Sequence, residues 1–222
     1  PINQVIGVPY SASAALCAVQ AVFLLRFIRR NGLSRQYGLC KTAVPARRFL
    51  YYLPLAVLMT RNFWNGAAFN ATLTETVCYI ICMLCVGFVE EVIFRGLLFR
   101  AMAEDNRNTA VVISSLTFGL GHLLNLVNGS GASLAETLLQ VAGAVALGFL
   151  FVILFDRGGS LLPCILAHAV INITSIFANE TGLTLGKGMA MQLVLIAVAV
   201  AYALILTKTL PKNQHAKAHR QE

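Results

Sequence analysis

The feature that most constrains this chain is the recurrence of apolar runs about as long as a bilayer is thick. A hydrocarbon core is about 30 Å across and each helical residue rises about 1.5 Å, so a crossing takes about 20 apolar residues. Runs of that order recur at 5–28, 49–65, 74–102, 108–127, 134–156, 161–178 and 188–208. They predict an all-α, polytopic transmembrane helix bundle of about seven spans, with any site in a cavity within the bundle. Composition agrees, because 58% of the residues are hydrophobic and 12% charged, against about 25% charged in soluble domains. The run at 49–65 is the weakest, interrupted by Arg61 and Asn62, and 74–102 is too long for one upright crossing. The first run lacks the basic start and small-residue cleavage site of a secretory signal. With no internal repeat, low-complexity tract or linker, residues 1–222 read as a single integral membrane domain, its motif-bearing core at 74–178.

Basic residues give an orientation. Arg26, Arg29, Arg30, Arg35, Lys41, Arg47 and Arg48 crowd the first connection. Arg100 and Arg107 flank the third, Arg157 the fifth, and Lys208, Lys212, Lys217 and Arg220 lie in the tail. Seven alternating crossings put all of them on one side, expected to be the cytoplasm, with a cytoplasmic C-terminal tail on a multi-pass protein of the cell membrane. The opposite connections hold Arg61 and Lys187 as their only basic residues. The net charge of +8 thus reads as a topology signal and an attraction to membrane lipids, with no nucleic acid as partner. His215 and His219 read as part of a solvated tail. Cys78, Cys82 and Cys85 share one helix face and read as packing residues.

Against this background "VGFVEEVIFRGLLFR", residues 86–100, is anomalous. A charged side chain at the bilayer centre costs about 2.5–3.5 kcal/mol on insertion scales, and here Glu90, Glu91 and Arg95 occur together. His122 lies in the fourth run, His168 and Asn172 in the sixth. Glu91 and Arg95 are i, i+4 and can pair on one face. Glu90 is rotated about 100° away and is left without that partner. Phe118 and His122, and His168 and Asn172, repeat the four-residue spacing. Counted from the nearest basic turns, Glu90, His122 and Asn172 all lie about 20 Å along their helices, and His168 about one turn nearer the basic side.

A carboxylate beside a neutral imidazole can hold and deprotonate a water. A second imidazole and a carboxamide can donate hydrogen bonds to an oxyanion. The same groups, with Glu90, His122 and His168 as ligands, match catalytic zinc in ligand type, although HExxH is absent. Each residue also has a plainer reading: Glu91–Arg95 as a registry pair, Phe118 as packing at a helix crossing, His122 as a hydrogen-bonded core histidine, Asn172 as interhelical glue. A proton- or cation-coupled transporter would use a similar set of buried groups, but the inverted repeat such folds often carry is not found.

Three motifs stand in order: "EEVIFR" (90–95) fits EExxxR, "FGLGH" (118–122) fits FxxxH, and "HAVIN" (168–172) fits HxxxN. Over residues 74–178 the chain resembles the CPBP intramembrane proteases, which include type II CAAX prenyl endopeptidases and bacteriocin-processing and self-immunity proteins. The amino end departs from the pattern, since the family often has one more span. The resemblance implies that Glu90 is the general base, that His122 orients the attacking water, and that His168 and Asn172 stabilise the oxyanion. Glu91, Arg95 and Phe118 would support them. It implies hydrolysis of a peptide or protein substrate, membrane-associated or lipid-modified, at a cavity opening toward the cytoplasm or inner leaflet. A glutamate-type mechanism without cofactor is favoured over a zinc-dependent one. The alternative is a catalytically silent immunity or scaffold protein of the same fold.

Overall fold

The computed structural model describes residues 7–44, 51–126 and 133–210. Among them are seven helices: α1 (Ser11–Arg30), α2 (Leu53–Met59), α3 (Leu73–Ala103), α4 (Arg107–Leu120), α5 (Leu134–Gly158), α6 (Leu162–Thr174) and α7 (Leu185–Thr209). Helical 3-10 turns follow α2 (Arg61–Phe63), α4 (Gly121–Leu126) and α6 (Ser175–Phe177). Extended pairing among the described residues is limited to one antiparallel bridge, Ala67 to Ala178. The fold is therefore all-helical. Of the seven helices, α1, α3, α5 and α7 are long and apolar enough to cross a membrane, while α2, α4 and α6 are shorter. Helix α2 is the clearest shortfall, starting at a proline in its first turn and giving way to the 3-10 turn at Arg61. The predicted tail histidines, His215 and His219, lie outside the described residues.

Helices α3, α5 and α7 begin alike. Thr72, Ser133 and Thr184 cap them, with reciprocal Glu75 and Glu136 bonds completing two capping boxes. These caps satisfy amide donors that the helix cannot. Helix α5 is the hub, packing on α4, α6 and α7. Its most apolar stretch is 56% buried, against 11% in α1, whose Leu16, Val19, Val22 and Phe23 face outward. Further contacts run α1 to α3, α3 to α4 and α5, α3 to α6, α6 to α2 and α2 to α7, so the helices enclose a shared interior.

Connections gather at two ends. At one end lie the last turns of α1, α5 and α7 with Arg29, Arg30, Arg157 and Lys208. The loop after α1 is tied there by Ala43 N–H to Gly158 O (2.9 Å) and Leu161 N–H to Gly38 O (2.8 Å). At the other end, residues 61–72 meet residues 175–187: Asn65 Nδ2 donates to Asn179 O (2.6 Å), Asn70 Nδ2 to Ala178 O (2.8 Å), and Lys187 Nζ to Asn65 Oδ1.

Within α3, residues Val92–Phe99 form wide π-helical turns directly after Glu90 and Glu91. Such bulges recur at functional sites. Here the Phe94 carbonyl accepts from Ser114 Oγ of α4 at 2.7 Å, tying the wide turns to the neighbouring helix.

Candidate active site

Glycine sets the spacing of the elements that carry the site. A Cβ on Gly87 would lie 3.0 Å from Ala169 N, so α3 and α6 approach closely beside His168. A Cβ on Gly148 would lie 3.0 Å from Ser115 O, bringing α4 and α5 together in the same way.

Glu91 is fully buried and its Oε1 accepts two bonds, from Arg95 Nη1 at 3.0 Å and from His168 Nδ1 at 2.9 Å. The second bond was not read from the sequence, which treated Glu91–Arg95 as a local pair. It links the first motif to the third. A carboxylate is acceptor-only, so it holds the proton on Nδ1 and turns Nε2 outward. There Nε2 meets Glu90 Oε2 at 3.7 Å. That is longer than a hydrogen bond, and the Glu90 side chain is 36% exposed. The carboxylate without a cation is thus the accessible one.

Arg95 is also fully buried. Its guanidinium carbon lies 4.1 Å from the Phe118 ring centroid and 5.6 Å from that of Phe151, and Nη2 donates to Gly148 O at 3.4 Å. Two ring faces, a carbonyl and one carboxylate thus surround the charge, the environment in which a desolvated cation–π contact counts most. Phe118 contacts more than a crossing helix. It meets the rings of His122 and His168 edge to face, at centroid distances of 5.9 and 5.5 Å. Glu91 Oε2 and Arg95 Nε are buried without a hydrogen-bond partner.

His122, His168, Asn172 and Phe118 line one cavity of about 520 Å³, within the range of about 300–1,000 Å³ typical of ligand pockets. Glu90 is not among its lining residues and reaches the group through His168. Neither the His122 ring nitrogens nor the Asn172 amide has a hydrogen-bond partner among the described residues. The cavity lining also includes Glu136 and Leu185, in the first turns of α5 and α7, and Glu180 and Thr184. The cavity therefore lies toward the end of the bundle opposite Arg157 and Lys208. The physical reason is that α4 ends at Leu120, so His122 already belongs to the far connection. Arg61 and Gln192 also line the cavity and were not predicted as site residues. The signal was present, since Arg61 interrupts an apolar run.

Among the described residues no three His, Cys, Asp or Glu side chains gather closely enough to hold a metal ion, so Glu90, His122 and His168 do not form a three-ligand set.

Fold and site together define a class: a polytopic helical membrane protein whose ionisable groups from separate helices meet beside an internal cavity. Within that class, residues 71–174 match the family model of type II CAAX prenyl endopeptidase Rce1-like proteins, so the motif-bearing core of this chain is similar to that family of intramembrane proteases. No curated protein and no solved structure matches the chain.

Proposed function

We propose that the protein is an intramembrane endopeptidase in which Glu90 and His168 hold and deprotonate the water that attacks a substrate peptide bond. The observation that carries this is the Nδ1 bond from His168 to Glu91. It leaves Nε2 as an acceptor facing a second acceptor, Glu90 Oε2. One water can donate a hydrogen to each. As its oxygen bonds to the carbonyl carbon, its proton passes to Glu90. His122 and Asn172, unpartnered in the cavity, donate to the resulting oxyanion. Glu90 then returns the proton to the leaving nitrogen as the C–N bond breaks. This reading exchanges the roles that the family resemblance implies for the two histidines. No step passes through a metal, and the rate is expected to be unchanged after treatment with chelators.

The substrate is a membrane-associated or lipid-modified peptide. The basic end reads as cytoplasmic, which makes the tail cytoplasmic and turns the cavity to the other face of the membrane. Nothing in the site favours transport or a silent scaffold. The deciding experiment is peptide cleavage by the purified protein in liposomes, followed by mass spectrometry. Loss of cleavage in Glu90→Gln with unchanged thermal stability is expected, and full activity in that variant would overturn the reading.

A further inference from the structure

The cavity holds a cation that the proposed chemistry does not use. Arg61 sits in the 3-10 turn after α2, at the membrane end where the sequence has almost no other basic residue. Its guanidinium lines the same cavity as His122, His168 and Asn172. No carboxylate lies within ion-pair distance of it among the described residues, although Glu136 and Glu180 also line the cavity. The Glu136 carboxylate is occupied by Ser133, accepting from its N–H and Oγ at 2.8 Å each. Among the described residues the Arg61 guanidinium makes one hydrogen bond, a neutral one from Nη2 to Gln192 Oε1 at 3.1 Å.

That single partner is itself fixed. Gln192 is buried on α7, and its Nε2 donates to Leu139 O of α5 at 2.9 Å. It occupies the space a side chain at Gly143 would take: a Cβ there would overlap Nε2. An α5 glycine therefore admits an α7 glutamine, and the glutamine holds an arginine against the cavity. Keeping a guanidinium here carries a desolvation cost, and its planar fork of donors suits a carboxylate.

We propose that Arg61 is a specificity-determining residue that binds a carboxylate of the substrate peptide, with Gln192 as its positioning residue. The proposal rests on the endopeptidase reading. The carboxylate is either the substrate's chain end or an acidic side chain near the cleaved bond. The site is then bipolar, with the proposed water and oxyanion groups at one wall and an anion anchor at another.

The test uses the full-length protein in liposomes and three sets of randomised short peptides: free C-terminal acid, C-terminal amide, and C-terminal amide with one internal Glu. Wild type is expected to cleave the acid-bearing sets about 10- to 100-fold faster than the neutral amides, the size of a charge-assisted hydrogen bond. Arg61→Gln is expected to abolish that preference and Arg61→Lys to keep part of it. Gly143→Ala, which displaces Gln192 while leaving Arg61 in place, is expected to weaken it. Preference for the first set identifies the chain end, and for the third an acidic side chain. Equal cleavage of all three sets by wild type, or an unchanged preference in Arg61→Gln, overturns the proposal. If no peptide is cleaved, the endopeptidase reading fails by itself. Fluorescence anisotropy of the labelled acid and amide peptides on wild type and Arg61→Gln then decides the proposal, supporting it only if wild type alone binds the acid forms more tightly.

Discussion

At the basic end the chain is closed by main-chain hydrogen bonds across tight connections, as between Leu161 and Gly38. At the opposite end main-chain bonds such as Ala68 N–H to Phe177 O (2.9 Å) are joined by asparagine side chains that reach across to carbonyls, and a cavity opens between α5, α6 and α7. At the basic end the short Ser160 Oγ adds a bond to Cys40 O at 2.6 Å beside those main-chain bonds, whereas at the other end the longer Asn62 Nδ2 spans from the turn after α2 to Ile171 O and Thr174 Oγ1 at the end of α6. Backbone-to-backbone closure is compact because nothing has to fit between the segments. Side-chain bridging keeps elements apart while still ordering them, which suits the end where a substrate would enter.

Substitutions at the two ends should separate chemistry from scaffold. The largest effect is expected at Glu90: Glu90→Gln should lower the cleavage rate by about 100- to 10,000-fold, the usual span of general-base catalysis, with thermal stability unchanged. Its neighbour should behave differently. Glu91→Ala strands a buried Arg95 and frees His168, and should cost about 3–5 kcal/mol in unfolding free energy as well as activity. If Glu91→Ala were as stable as wild type, the buried pair would not be holding the site. Gly87→Ala should come next: pushing α6 from α3 should cost about 1–3 kcal/mol, as overpacking does, with a larger fractional loss of turnover because His168 moves with Ala169. The smallest effect is expected from Ser160→Ala at the basic end, about 1 kcal/mol of stability with normal turnover. A turnover defect there would mean that the two ends are coupled.

Much of this architecture was legible in the sequence. Apolar run length marked the long helices, and fixed four-residue spacings placed Glu91 with Arg95 and Phe118 with His122. Those are local properties of one helix. The bond from Glu91 to His168 joins residues 77 positions apart, and spacing within a helix says nothing about it. The shortness of α2 was half-visible in Arg61 and Asn62, but the use of Arg61 in a cavity depends on Gln192 and Gly143 from two other helices. The position of the cavity was not legible either, because basic residues bear on which end faces the cytoplasm, not on which end is hollow.

The wide turns at Val92–Phe99 have a consequence for chain length. They hold surplus backbone within α3 and are clasped by Ser114 from the side. Removing one residue there would let the segment tighten toward ordinary helix and swing everything upstream by about 100° about the axis. Both glutamates would then be aimed away from the imidazole they flank. The interval between the acidic doublet and the next helix therefore works as a reading frame, more tolerant of exchanged side chains than of a deleted residue.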